Sequence, residues 1–141
     1  MDEHFKKSII IEHYNNPLNK GETYDNSYIK INMNSPSCID NLDYMVKIEN
    51  KVIKDIKFNG EACAISTASS SIMTSLVKGK TIEEAKIIIE NYENMINEKE
   101  YNEEILKEAN AFETVYKQAN RKKCALLPYE GLKKALEEKR N

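Results

Sequence analysis

The sequence predicts an α+β fold with an N-terminal helix, a three-stranded antiparallel sheet, and then several helices packed on one face of that sheet. Alternation of apolar and polar residues, which is typical of strands, is concentrated in one part of the chain, residues 27–59. The last two alternating segments are joined by a short turn, as in an antiparallel hairpin. The patterns after them are helical. Contiguous strands followed by helices favour α+β over a parallel βαβ fold.

The first element is predicted to be a helix over residues 2–14, with Phe5, Ile9 and Tyr14 on one face. Pro17 ends it, because proline disrupts a continuing helix. The alternating segments that follow predict three strands, at about 27–33, 42–49 and 52–59.

The helical part of the chain begins with residues 66–77, which are rich in small side chains. Helix propensity is mediocre there, so close packing against the sheet must stabilise this helix. Thr81 and Glu84 have the spacing of a capping box and predict the start of the next helix. A polar, acidic stretch then predicts short helices. The last helix is predicted to begin near Cys124, with Pro128 in its first part.

Composition limits the possible functions. With 141 residues we expect a single domain, 1–141. The net charge of −2 argues against a nucleic-acid or anionic-membrane partner, since both usually require a basic surface. The apolar runs are too short to span a membrane, and no secretory signal is visible. We therefore expect a cytoplasmic protein.

The chain has 3 cysteines, and each is predicted to lie at the end of an element. Cys38 falls between the first two strands, Cys63 follows the third strand, and Cys124 opens the last helix. A helix N-terminus stabilises a thiolate, which would favour reactive or metal-bound sulfur at Cys63 and Cys124. There is no C-x-x-C pair, so both cysteines are equally compatible with inert buried positions. Asp40 lies two residues after Cys38 and is compatible with a metal ligand or an ordinary turn aspartate.

Four blocks of sequence, in this order and spacing, resemble the SufU family, the sulfur-transfer branch of the IscU/NifU scaffold superfamily. The blocks are "IIIEHYNNPLNKG", "NSPSCID", "FNGEACAISTASSSIMTSLVKGK" and "RKKCALLPYEGLKKAL". Lys123 stands where the scaffold branch has a histidine, and the insertion before Cys124 carries Arg121 at the position of the SufU arginine. Ile39 and Ala62 replace family glycines, and a β-branched residue such as Ile39 resists a left-handed backbone.

The resemblance implies one zinc ion bound by Cys38, Asp40, Cys63 and Cys124, a ligand set that suits tetrahedral Zn²⁺. It also implies a partner, a SufS-type cysteine desulfurase. A histidine of that partner would displace Cys38 from the zinc, and the freed thiolate would accept persulfide sulfur for downstream iron–sulfur assembly proteins. Arg121 is expected beside the site, where a cation offsets the negative charge of the ligands.

Two alternatives remain open at this point. The same three cysteines suit a [2Fe–2S] cluster, with Asp40 as a fourth ligand, in an assembly scaffold. A purely structural zinc domain that docks on partners is the second alternative. His13 is expected to have a packing or capping role rather than to bind metal.

Overall fold

The chain folds into a three-stranded antiparallel sheet in the order β1–β2–β3, with helices packed against it. The computed structural model describes residues 1–35 and 39–138. The elements are α1 Glu3–Asn15, β1 Tyr28–Asn34, β2 Asn41–Glu49, β3 Val52–Glu61, α2 Ala64–Val77, α3 Ile82–Ile96, α4 Glu103–Leu106, two 3₁₀ turns at Lys107–Phe112 and Val115–Lys117, and α5 Ala119–Glu138. The predicted fold class is confirmed, and the strands differ from the prediction by one or two residues at their ends.

The turn of the β2–β3 hairpin fixes the register of the sheet. Its two residues, Asn50 and Lys51, have φ angles of 52° and 62°. Positive φ at both positions of a two-residue turn matches the right-handed twist of the paired strands. At the opposite end of the hairpin, Asn41 pairs with Glu61. The residue before β2 and the residues after β3 therefore lie side by side.

The core lies between the sheet and the helices. Alternate residues of β2 are buried and include Tyr44, which has no exposed surface. All residues of Ser66–Thr74 in α2 are buried, and most of them have the small side chains noted in the sequence. Small side chains let neighbouring elements approach closely. The capping box of α3 is also confirmed, because Thr81 and Glu84 exchange backbone-to-side-chain hydrogen bonds of 2.9 and 3.1 Å.

The predicted apolar face of α1 is wrong for two of its three residues. Ile9 is buried, but Phe5 and Tyr14 are 55% and 47% exposed. Lys6 and His13 point inward instead. Periodicity identified the helix but not its buried side, because two of its three buried residues, Lys6 and His13, are polar.

Ion pairs and hydrogen bonds hold the inner face of α1. The Lys6 ammonium lies 2.8 Å from the carboxylate of Glu113. The two ring nitrogens of His13 contact the Ser71 hydroxyl at 2.7 Å and the Glu108 carboxylate at 2.8 Å. These contacts tie α1 to α2 and to the segment before α5, so His13 has the structural role expected of it.

Helix α5 begins five residues earlier than the sequence predicted. It starts at Ala119, so Cys124 is its sixth residue and not its N-terminal one. Pro128 lies inside the helix. Proline has no N–H group, so the carbonyl of Cys124, four residues before it, loses its usual helical donor. Among the helices of the described residues, none is long and apolar enough to cross a membrane.

Candidate metal centre

The open end of the β2–β3 hairpin brings two of the predicted ligands together. Asp40 directly precedes β2, and Cys63 follows β3 as the N-cap of α2. Because Asn41 and Glu61 are paired, the chain places Asp40 against the first turn of α2. The N–H group of Cys63 donates to Asp40 Oδ1 at 2.8 Å.

The carboxylate of Asp40 is buried, and each of its two oxygens accepts a hydrogen bond. Its Oδ1 accepts from Cys63, and its Oδ2 accepts from the Ser66 hydroxyl at 2.5 Å. Burial alone would raise the pKa of Asp40, but the hydrogen bonds from Ser66 and Cys63 outweigh it, so the pKa lies below its ordinary value. Asp40 is therefore an anion at neutral pH, as a metal ligand must be.

Cys63 has the position at a helix N-terminus that the sequence predicted. Its Sγ accepts the N–H of Ser66 at 3.4 Å, as an N-cap side chain does. The side chain is half-buried, so it contacts both the core and the surface. Its sulfur also lies 3.6 Å from the Ser66 hydroxyl.

Cys124 reaches the same place from the second turn of α5 and not from a helix N-terminus. It is 8% exposed. Burial raises the pKa of its thiol, and the neighbouring Cys63 adds to the rise. The thiolate-stabilising effect predicted from the helix N-terminus is thus wrong for this cysteine. Metal binding would have to remove its proton.

Asp40, Cys63 and Cys124 form a cluster that fits a metal ion. One ligand atom from each lies within 4.8 Å of the other two. Ligand atoms that share one tetrahedral zinc are about 3.5–3.8 Å apart, so movements of about 1 Å suffice to close the site. The fourth predicted ligand, Cys38, lies outside the described residues. Two sulfurs and one carboxylate oxygen are donors that zinc accepts.

A groove of about 460 Å³ opens beside this cluster, between α1 and the starts of α2 and α5. Cys63 and Cys124 form part of its lining, together with Lys7 and Arg121. Arg121 is exposed, lies one helical turn before Cys124 and lines this groove. That Arg121 acts as a catalytic residue beside the metal site stays a prediction from the family resemblance.

The structure describes the two residues that replace family glycines to different extents. Ala62 does not have a positive φ angle. Ile39 is 67% exposed, so its side chain is accommodated in solvent rather than in the core. The φ angle of Ile39 depends on Cys38, which lies outside the described residues, so the expected resistance of Ile39 to a left-handed turn stays a prediction.

The family model described as the NifU-like N-terminal domain matches residues 5–138. The chain belongs to this family. The zinc-dependent sulfurtransferase SufU of Bacillus subtilis (strain 168) is 39% identical to this NifU-like chain over 92% of it and 88% of the relative. The iron–sulfur cluster assembly scaffold protein IscU of Streptococcus pyogenes serotype M1 is 33% identical over 98% and 86%.

A solved structure of a similar protein supports the same family assignment. The crystal structure of the SUF-system protein FiSufU from Fervidobacterium islandicum AW-1 superposes with a TM-score of 0.83 at 32% identity. The match covers 96% of this NifU-like chain and 99% of FiSufU. The resemblance to the SufU family and the IscU/NifU superfamily, and the predicted fold, are therefore confirmed.

Sequence reasoning missed two polar residues at this site. Ser66 contacts all three clustered residues, and Lys7 lines the groove from α1. Ser66 is one of four serines in residues 66–71, and nothing in the local sequence distinguishes it from the others. Lys7 lies far from the cysteines in sequence, and only the packing of α1 brings it near.

Proposed function

We propose that this chain is a zinc-dependent sulfur acceptor that works with a SufS-type cysteine desulfurase. Its zinc would be held by Cys38, Asp40, Cys63 and Cys124. The sulfur would be received on Cys38 and passed to downstream iron–sulfur assembly proteins in the cytoplasm. Residues 1–141 would act as a single domain.

The observation that carries this proposal is the cluster of Asp40, Cys63 and Cys124. Its donor set suits zinc, and the similar protein of Bacillus subtilis is named a zinc-dependent sulfurtransferase. When bound, zinc keeps its cysteine ligands deprotonated without undergoing redox chemistry itself.

Hydrogen bonds or burial hold each of the three clustered residues in place, which does not suit a residue that must exchange sulfur. Asp40 is fixed by two hydrogen bonds, Cys63 caps α2, and Cys124 is buried in α5. An accepting thiolate must instead be accessible. This division of roles favours Cys38, in the connection between β1 and β2, as the accepting residue.

The transfer step is a thiol exchange. The Cys38 thiolate attacks the outer sulfur of the persulfide on the desulfurase cysteine and forms a new sulfur–sulfur bond. The bond within the original persulfide breaks, and its electron pair leaves with the desulfurase cysteine as a thiolate. The net oxidation state does not change, so no external oxidant is required. Arg121, beside the groove, would stabilise the anions that approach and leave.

The test is a single-turnover assay with a purified SufS-type desulfurase and free cysteine. We expect the wild-type chain to gain one sulfur atom by intact-protein mass spectrometry, and Cys38→Ala to gain none. Arg121→Gln is expected to accept sulfur more slowly while binding zinc normally. If Cys38→Ala still accepts persulfide sulfur, the role given to Cys38 is wrong.

A second candidate function is iron–sulfur scaffolding. The similarity to the scaffold protein IscU of Streptococcus pyogenes favours it. The same cysteines would then hold a [2Fe–2S] cluster, and the chain purified without oxygen would contain iron and sulfide and absorb visible light. Lys123, in place of the scaffold branch's histidine, favours the zinc proposal.

A further inference from the structure

We infer that Ser66 is a positioning residue of the metal centre, an inference that rests on the proposed function. Its hydroxyl orients the Asp40 carboxylate so that Asp40 shares a metal ion with Cys63 and Cys124. Ser66 is not itself a ligand in this proposal. It acts on the metal through Asp40.

One hydroxyl group contacts all three clustered residues. Ser66 Oγ lies 2.5 Å from Asp40 Oδ2, 3.2 Å from the carbonyl oxygen of Cys124 and 3.6 Å from Cys63 Sγ. Ser66 has no exposed surface, so water does not compete for these contacts. The hydroxyl therefore lies where it can orient Asp40, with Cys63 and Cys124 beside it.

The hydroxyl has one proton, and the distances indicate where it goes. The contact to Asp40 is the shortest and the acceptor is charged, so Ser66 donates there. The lone pairs of Ser66 Oγ remain available to the Cys63 thiol. The hydrogen bond from Ser66 to Asp40 and the contact from Cys63 therefore use different parts of the same hydroxyl group.

Pro128 leaves the Cys124 carbonyl without its usual helical donor, and Ser66 Oγ lies 3.2 Å from that carbonyl oxygen. Because Ser66 donates its one proton to Asp40, the Cys124 carbonyl is a more distant alternative acceptor and not a second simultaneous hydrogen bond. The contact places the backbone of α5 next to the residue that orients Asp40.

The orientation of Asp40 leaves room for a metal. A carboxylate has about four lone-pair sites, and the hydrogen bonds from Cys63 and Ser66 occupy two of them. Partners that orient a ligand in this way typically contribute about 10- to 100-fold in metal affinity. We expect a loss in that range when the hydroxyl is removed.

The experiment measures zinc affinity by competition with a chromophoric chelator, using the full chain under reducing conditions. Ser66→Ala is expected to bind zinc about 10- to 100-fold more weakly than wild type. Ser66→Thr, which keeps a hydroxyl, is expected to recover most of that loss. Co²⁺ substituted for zinc gives a visible spectrum that reports the ligand geometry, and Ser66→Ala should change it.

Ser69→Ala is the matched control. Ser69 lies one turn further along α2, is equally buried, and donates to the carbonyl of Ala125 at 2.8 Å. It contacts none of the clustered residues in the described hydrogen bonds. Its loss should lower stability without changing zinc affinity or the cobalt spectrum.

A double-mutant cycle separates action through Asp40 from a general loss of structure. In an Asp40→Ala background, the further change Ser66→Ala should have little effect on zinc affinity. Equal losses in both backgrounds would contradict the inference, as would a Ser66→Ala chain that binds zinc like wild type. If both Ser66→Ala and Ser66→Gly fail to fold without metal, Ser66 is a folding residue and the inference is also wrong.

The outcome for Ser66 is distinguishable from the outcome for the proposed function. A wild-type chain that does not bind zinc contradicts the proposed function. A wild-type chain that binds zinc, with Ser66→Ala unchanged, contradicts only the inference about Ser66. Sulfur transfer is not needed for either measurement.

Discussion

The first turn and the middle of α2 both bury serine hydroxyls, but they give them different partners. At the first turn, Ser66 contacts Asp40, Cys63 and Cys124, which are the candidate ligands. In the middle, Ser69 donates to the backbone carbonyl of Ala125, and Ser70 bonds the phenol hydroxyl of Tyr44. The same residue type on one helix therefore lies at the candidate metal centre in the first turn and within the packed core in the middle.

The middle region is built around three buried tyrosines. The hydroxyl of Tyr44 bonds Ser70 at 2.7 Å, and that of Tyr92 donates to the Ala125 carbonyl at 2.9 Å. Tyr129 stacks on Tyr92 with ring centroids 3.6 Å apart. The partners in these hydrogen bonds are neutral and include no thiol or carboxylate, so they differ from the donors of the candidate metal centre. Changes there should affect stability alone, and changes at the first turn should affect metal affinity.

The largest expected effect comes from removing a ligand. Cys124→Ala should reduce zinc affinity by more than the 100-fold upper end typical of residues that only orient a ligand. The protein should still fold, since alanine fills most of the space of this buried thiol. Zinc affinity is measured by chelator competition. Tyr129→Phe, also on α5, is the control and should bind zinc normally.

The next largest expected effect is on stability, and it tests how tightly α5 packs against the buried Tyr44. At Gly131 in α5, an added Cβ would lie 2.8 Å from a ring carbon of Tyr44 and 3.0 Å from the side chain of Met33. The Tyr44 ring is buried and its hydroxyl is bonded, so it cannot move aside. Gly131→Ala should lower the free energy of unfolding by about 1–3 kcal/mol in urea denaturation, with zinc affinity unchanged.

Gly21→Ala is the control for that change. Apart from Gly21 and its chain neighbours, no heavy atom of the described residues lies within 4 Å of a Cβ added at Gly21, so the substitution should leave stability unchanged or raise it slightly. A Gly131→Ala chain as stable as wild type would mean that the core at this point is looser than its contacts indicate.

The smallest expected effects on stability come from the hydroxyl groups of the stacked pair Tyr92 and Tyr129, because only one of the two has a hydrogen-bond partner among the described residues. Tyr92→Phe removes a donor from the Ala125 carbonyl and should lower the free energy of unfolding by about 1 kcal/mol. The Tyr129 hydroxyl is buried with no hydrogen-bond partner among the described residues. Tyr129→Phe should therefore raise stability by about 1 kcal/mol, because an unsatisfied polar group is removed. Shifts of the same sign in the two variants would contradict the assigned hydrogen bonds.

Local signals in the sequence predicted most of the fold. Alternation marked the strands, the short turn marked the hairpin, and Thr81 with Glu84 marked the start of α3. The start of α5 was missed because its first turn is exposed and has no apolar periodicity. The buried side of α1 was missed because Lys6 and His13 find partners on other elements, which periodicity does not report.

The candidate site was predicted in part. The resemblance identified Asp40, Cys63 and Cys124, and the structure brings them together. Cys38 lies outside the described residues, so its place at the site remains a prediction. Ser66 was not predicted, because its contacts with Asp40, which precedes β2, and with Cys124 of α5 are long-range and leave no local signal in the sequence.

The most direct test of the central claim is the metal content of the protein purified without oxygen and without added metal. We predict about one zinc per chain by elemental analysis and no visible absorbance, as expected for a d¹⁰ ion bound by thiolates and a carboxylate. Iron with sulfide and a brown chromophore would contradict the sulfur-acceptor account and establish the scaffold alternative.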